Sequence, residues 1–292
     1  MAGQQAATRR DPPARLRPAY PIRLGDMVRS LGEVAAHFDG RADSYAKHRN
    51  WVNDRLSLMP IVSLLRQKPG VTLEIGAGTG AVARICGPLV PGLGAYVGLD
   101  LSHSMLMHHV PQAPAVVADA HRLPFAAQSA TVVICRQSIH YFDVPDVVLS
   151  EIGRVLAPDG RLLIAQIVSF DDPVDRAWWE TAMALRQPLR RRRWTSEDIE
   201  ESVRGAGFAV ESRQYLRRRT SLKGWLDRYP LSSQARQALI EHFGATPRSV
   251  RELREFAITS EEIEYWLRWV FITARLADAP TADPVWSGHG RQ

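Results

Sequence analysis

The chain has only two cysteines, Cys86 and Cys135, and both stand in apolar segments. So sparse a set excludes a disulfide framework and a cysteine-rich metal site. It suits a reducing compartment, and a cytoplasmic location with no metal is expected. Lysine is almost missing as well: Lys47, Lys68 and Lys223 are the only three among 37 basic residues. The rest of the positive charge is arginine, set against 31 acidic residues for a formal net charge of +6. That surplus is a mild field suited to small anions and too weak to imply nucleic acid. Long apolar runs are absent too. None reaches the ~18 residues of a membrane-spanning helix, and the N-terminus lacks the apolar core of a secretory signal. A hydrophobic content of 45% still provides for a large core.

What is present centres on Val71-Thr72-Leu73-Glu74-Ile75-Gly76-Ala77-Gly78-Thr79-Gly80. The apolar run at its start reads as a buried strand. It turns through three alternating glycines into a helix predicted over 79–87. Glycine takes positive φ and lets a ligand approach the backbone. A helix start adds unpaired N–H groups and partial positive charge. Gly76, Gly78 and Ala81 also satisfy the G-x-G-x-x-G/A dinucleotide pattern, so the turn alone leaves several ligands open. Glu74 shifts the balance, because a carboxylate two residues before the turn repels pyrophosphate and welcomes a cationic group.

Strands are expected at about 71–76, 94–99, 115–118, 131–136 and 160–168, with helices at 103–109 and 145–156. This alternation calls for a parallel sheet covered on both faces, with ligands beyond the carboxyl ends of its strands. Asp100 ends the second strand, 24 residues after Gly76. Its two oxygens suit two ribose hydroxyls; the competing role is a helix N-cap. Leu101 and Met105 can sandwich an adenine ring, and Met105 can equally be core. His140 and Tyr141 follow the fourth strand. A histidine there is either a general base or a packing residue. Cys135 lies within the strand and reads as structural.

In order along the chain stand Leu73 to Gly80, Gly98-Leu99-Asp100-Leu101-Ser102-His103-Ser104-Met105-Leu106, Ala118-Asp119-Ala120-His121-Arg122-Leu123-Pro124-Phe125, Val132 to Phe142, and Glu151 to Leu162. This series resembles the class I S-adenosylmethionine-dependent methyltransferases, in their small-molecule branch that includes ubiquinone/menaquinone-type enzymes. The likeness spans roughly residues 34–168. It implies S-adenosylmethionine as cofactor, with Glu74, Gly76, Ala77, Gly78 and Gly80 at its methionine end. Asp100 would then hold the ribose, with Asp119 and Ala120 reading adenine. Arg136 and Tyr45 join the cofactor set, and His140 and Tyr141 fall where the methyl group is transferred. The Asp/Asn-Pro-Pro-aromatic motif of amino-methylating DNA enzymes and the Pro-Cys of cytosine-C5 enzymes are both missing after the fourth strand. Small-molecule acceptors are therefore expected, with no nucleic acid partner; a homodimer stays open.

The fold implied is a Rossmann-like doubly wound α/β sheet, mostly parallel and closed by an antiparallel C-terminal hairpin. Flexible tails are expected at 1–25 and 277–292 around one domain at 26–276. Within it lie an N-terminal helical cover (26–66), a core (70–168) and lid segments at about 170–194 and 219–258. In the cover, Val28, Leu31, Val34, Ala35 and Phe38 share one face. The resemblance has Tyr45 close over the cofactor, whereas plain packing of Tyr45 and Trp51 on the core is the simpler alternative. Thr195 and Asp198 form a capping-box variant at a helix start. A strand follows at 208–216, and 263–274 suits a last strand, although Glu261-Glu262 also permits a helix there. Trp178, Trp179 and Trp225 are expected over the pocket mouth. The Arg190–Arg193 and Arg217–Arg219 runs read as solvated, with a substrate carboxylate, a phosphate or an acidic carrier protein as the functional options. The rival activities are an NAD-dependent oxidoreductase on the same sheet and a cofactor-binding scaffold without catalysis.

Overall fold

The computed structural model describes residues 24–47, 54–111 and 113–277. Trp51 and nearly all of the two expected tails lie outside the described residues. The core is an eight-stranded sheet in the order β3-β2-β1-β4-β5-β8-β6, with β7 paired to β8. Its strands are β1 (Thr72–Ile75), β2 (Tyr96–Asp100), β3 (Ala115–Val117), β4 (Ala130–Arg136), β5 (Leu156–Val168), β6 (Phe208–Ser221), β7 (Ala257–Ile258) and β8 (Ile263–Leu276). The first five pair in parallel, and β8 enters antiparallel between β5 and β6. The winding reverses between β1 and β4, the place where such sheets hold ligands.

Strand periodicity assigns the two faces. Leu73, Ile75, Val133, Cys135, Leu162, Ile164, Val270 and Ile272 face one side. There they pack on α6 (Pro145–Val155) and α8 (Ser196–Gly205). Val132, Ile134, Leu163, Ala165, Trp269 and Phe271 face the other side, against α3 (Arg55–Gln67) and α4 (Ala81–Cys86). The same parity sends Glu74 and Arg136 to the second face, at the carboxyl ends of their strands. The Arg136 guanidinium lies 5.1 Å from the Trp269 ring.

Local signals set the boundaries. Thr195 Oγ1 accepts from the Asp198 N–H (3.1 Å) and Asp198 Oδ2 accepts from the Thr195 N–H (2.9 Å), so the capping box opens α8. Helix α4 begins later than expected because Gly80, its N-cap, is left-handed. The helix expected at 103–109 is a single turn, α5 (His103–Leu106). Strand β6 runs five residues past its expected end, so Arg217–Arg219 lie in an edge strand. Their side chains pair there with Glu255, Asp54 and Glu264, and charge on an edge discourages pairing with other chains.

Two helical groups flank the strand ends. The first is α1 (Leu24–Asp39) and α2 (Ala42–Lys47). The second is α7 (Pro173–Arg186), α9 (Leu222–Asp227), α10 (Ser233–Gly244) and α11 (Arg248–Leu253), which bury a separate aromatic cluster. No helix among the described residues is long and apolar enough to cross a membrane.

The aromatic cluster surrounds a fully buried ion pair. Arg254 Nη2 donates to Asp175 Oδ2 at 2.9 Å, and the same oxygen accepts from the Phe170 N–H at 2.7 Å. Removing one partner strands the other charge. Asp175→Ala is expected to lower unfolding free energy by about 3–5 kcal/mol in urea titration. A loss under ~1 kcal/mol would show that the pair does not hold these helices in place.

Candidate functional site

Past the end of β1, three glycines with positive φ serve three neighbours. A Cβ on Gly76 would lie 2.4 Å from Ser138 Cβ, so this glycine admits the loop after β4. A Cβ on Gly80 would lie 2.7 Å from the His109 ring. Gly80 therefore faces His109 and is not part of the cavity wall, unlike the other expected glycines. A Cβ on Gly78 would point toward Met105 Cε at 3.2 Å, with Asp100 Oδ2 at 4.0 Å, inside the cavity.

That cavity spans about 1030 Å³, counting space open to solvent, at the carboxyl ends of β1, β2 and β4. It brings together Tyr45, Glu74, Gly76, Ala77, Gly78, Asp100, Leu101, Met105, Asp119, Ala120, Arg136 and Tyr141. Asp100 is not an N-cap; Ser102 caps α5, accepting from the Met105 N–H at 3.1 Å. Asp100 instead accepts from the N–H groups of Gly78 (2.8 Å) and Ser102 (2.9 Å). Burial still pushes its carboxyl up to about 6. Glu74 accepts from the Tyr96 hydroxyl. Burial pushes it up to about 8, although the Tyr96 bond and the Arg136 charge pull the other way. The floor of the cavity thus carries two carboxyl groups short of positive partners.

Asp119 is held by a residue that sequence reasoning overlooked. His121 bonds Asp119 Oδ1 through its N–H at 3.0 Å and its Nδ1 at 2.7 Å. Burial would raise the Asp119 carboxyl, but these bonds outweigh it and hold the group below its ordinary value. His121 Nε2 is buried without a partner and lines the cavity. Gln137 was overlooked as well. Its backbone is left-handed (φ 56°), a strain of order 1–3 kcal/mol that clusters at functional sites. Its Nε2 is likewise buried and unpartnered. No spacing rule singles out either residue.

The cover closes over this cavity. Leu31, Val34, Ala35 and Phe38 of α1 line it, which explains their shared face. Asp39 Oδ1 accepts from Ser102 Oγ (2.6 Å) and the Ser104 N–H (3.0 Å), fastening α1 to α5.

A second pocket of about 670 Å³ adjoins the first, and Phe38, Tyr45, Gln137 and Tyr141 line both. His140 lies only in this second pocket. It is almost fully buried, and its Nδ1 is 3.1 Å from Gln166 Oε1. The Gln166 Nε2 donates to Ile167 O, so Oε1 faces the ring and Nδ1 carries the proton. Burial, then the Arg190 charge, hold the imidazole well below its ordinary value, hence neutral. Burial likewise raises the Tyr141 phenol. Trp179 and Trp225 line this pocket. Trp178 does not; it stacks with His242 in the aromatic cluster. The Arg190–Arg193 run follows α7 as a loop. Arg191 pairs with Asp143 at 2.9 Å and its N–H donates to His140 O, while Arg190 is buried in the pocket wall.

Residues 73–164 match the protein family described as "Methyltransferase domain". A malonyl-[acyl-carrier protein] O-methyltransferase of Laribacter hongkongensis is 34% identical over 151 residues, covering 46% of this chain and 50% of that protein. A ubiquinone/menaquinone biosynthesis C-methyltransferase of Paraburkholderia phytofirmans is 28% identical over 155 residues, covering 50% of this chain and 61% of the relative. The chain thus spans between half and two thirds of the length of these relatives. Among solved structures, the YcgJ protein of Bacillus subtilis superposes with a TM-score of 0.68 at 22% identity, over 77% of this chain and 100% of that one. The fold is that of class I methyltransferases.

The protonation of Glu74 gives this site a signature of its own. Its carboxyl is raised from an ordinary 4.5 to about 8 in the folded state. The native protein therefore binds more protons than the unfolded chain between those values, and stability falls as pH rises through that window. Urea titrations from pH 4 to 9 are expected to show this fall in the wild type and a shallower one in Glu74→Gln, where the raised Asp100 carboxyl still contributes at the acid end. Parallel curves for the two proteins would place the Glu74 carboxyl outside the cavity floor described here.

Proposed function

We propose that this protein, built on a class I methyltransferase core, transfers a methyl group from S-adenosylmethionine to a small-molecule acceptor held in the second pocket. The observation that carries the reading is the pair of adjoining cavities, one lined by the motif residues and the other by lid residues, with a shared wall at Phe38, Tyr45, Gln137 and Tyr141.

The residues present fit the cofactor. Two carboxyl groups raised by burial await positive or hydrogen-donating partners, and the bare Gly78 leaves room beside Met105. When bound, the sulfonium cofactor supplies an electrophilic methyl group. Glu74 would hold its ammonium end and Asp100 its ribose hydroxyls. Asp119, fixed by His121, and Ala120 would read the adenine, sandwiched by Leu101 and Met105. Pyrophosphate of a dinucleotide would instead face Glu74 and Asp100 across the same turn, which disfavours the oxidoreductase reading.

The protein's share of the chemistry is positioning and exclusion of water. The cover and lid close the shared wall on both sides. His140 presents a neutral Nε2, able to accept a hydrogen bond from an acceptor O–H or acidic C–H. Tyr141, in contact with His140 at 4.3 Å between ring centroids, orients the acceptor at the wall.

Asp100→Ala is expected to weaken S-adenosylhomocysteine binding ten- to a hundredfold in calorimetry while the fold persists. Unchanged affinity in a folded variant would remove Asp100 from the cofactor site. For a hydroxyl acceptor, His140→Ala should lower turnover by about 10²–10⁴ with cofactor affinity intact. Because burial and Arg190 depress the imidazole, the profile of kcat/KM against pH should show no His inflection near its ordinary 6.5. An inflection there that vanishes in His140→Ala would contradict the neutral, buried imidazole.

A further inference from the structure

Four arginines line the second pocket: Arg41, Arg186, Arg190 and Arg228. Several arginines elsewhere find carboxylates: Arg191 with Asp143, Arg218 with Asp54, Arg254 with Asp175 and Arg268 with Asp171. The four in the pocket have no such partner among the described residues. Arg41 donates to Arg228 O and stacks 4.0 Å from the Tyr229 ring centroid. Arg186 donates to Trp225 O at 3.0 Å and lies 4.4 Å from that ring. Carbonyls and rings thus orient these guanidiniums without neutralising them.

Arg190 has less still. It is 9% exposed, and its buried Nε has no hydrogen-bond partner. Burial lowers Arg186 to about 9 and Arg190 to about 10, and neighbouring arginine charges act in the same direction. Buried charge without a counter-charge is costly, so such a cluster is complete only with an anion between its members. Guanidinium forks match the oxygens of a carboxylate or a phosphate.

We propose that the second pocket binds its acceptor through a carboxylate or phosphate group held by Arg190 and its three arginine neighbours, and that this anion is the anchor of the acceptor rather than the atom methylated. The word acceptor rests on the methyltransferase reading; the anion site does not. The four arginines belong to the second pocket alone, while the wall shared with the cofactor cavity carries no cation. An anion clasped by guanidiniums also has its lone pairs engaged, which makes it a poor nucleophile. Trp179, Trp225 and Tyr229 offer the body of the molecule an aromatic surface.

The test titrates the full chain, with S-adenosylhomocysteine present, against benzoate, phenyl phosphate and the neutral methyl benzoate. One or both anions should bind at least tenfold more tightly than the ester, and the tighter of the two assigns carboxylate or phosphate. Arg190→Gln should weaken that anion ten- to a hundredfold and leave S-adenosylhomocysteine affinity unchanged. Arg190→Leu should melt above the wild type in the absence of anion, because an unpaired buried charge is gone, and should gain nothing when the anion is added. Equal binding of ester and anion, or full anion affinity in the folded Arg190 variants, would overturn the proposal. With a turned-over acid, a product that is the methyl ester would overturn the anchoring role. Failure of S-adenosylhomocysteine to bind the wild type would instead defeat the methyltransferase reading, and the anion titration would still report on the arginine pocket.

Discussion

The site depends on one joint, where the chain leaving β1 meets the chain leaving β4. Ser138 Oγ donates to Ile75 O at 2.8 Å, and Ser138 Cβ occupies the space that a side chain on Gly76 would need. This contact ties the glycine turn to the segment carrying Gln137, His140 and Tyr141. It lies at the point where the sheet winding reverses; Gly76 and Ser138 line the first cavity, and the adjacent Gln137 lines both. The strained Gln137 backbone sits beside it. Strain of that kind persists only where surrounding contacts determine it, and here the N–H of Gln137 is held by Ala165 O at 2.9 Å.

The electrostatics of the two cavities are opposite and incomplete. The first has buried carboxyl groups whose proton affinity is raised, Glu74 and Asp100. The second has buried guanidiniums whose proton affinity is lowered, Arg186 and Arg190. A core evolved for stability alone would pair or discard such groups. Their separation by an uncharged aromatic and amide wall suits two ligands of different charge brought edge to edge. On the proposed reading, binding energy from an anionic end positions an acceptor against the wall without competing for the carboxyl groups of the first cavity.

The walls of the second pocket come from parts of the chain that are far apart in sequence. Arg41 follows α1, Arg186 and Arg190 end α7 and begin the next loop, and Arg228 and Tyr229 follow α9. The Tyr229 hydroxyl meets His37 Nε2 at 2.9 Å, and Arg41 Nη2 donates to Arg228 O at 3.3 Å. Burial, then Arg41, depress His37 to about 4, so it stays a neutral acceptor in this bridge. The helical segments from the two ends of the chain are therefore linked directly across this pocket.

Much of this was legible in the residues. Hydrophobic periodicity placed the parallel strands, the glycine turn placed the site, and the capping pair Thr195–Asp198 placed a helix start. All of these are signals between near neighbours in the chain, where backbone geometry and side-chain spacing act without reference to distant partners. Glu74, Asp100 and Asp119 stand out in the sequence because each is a carboxylate within or just beyond a short apolar strand. The same reasoning could not tell that Gly80 serves His109, that Trp178 belongs to an aromatic core, or that Arg190 is buried while Arg192 and Arg193 are exposed. It gave no reason to notice His121 or Gln137, whose importance lies in an unpartnered nitrogen and a left-handed backbone. Sequence alone thus determined the sheet, the glycine turn and the strand-end carboxylates that line the first cavity, since these follow from local pattern. Only the tertiary structure decided which charges go without partners and which side chains share a wall, because burial and pairing are set by segments that meet from opposite ends of the chain.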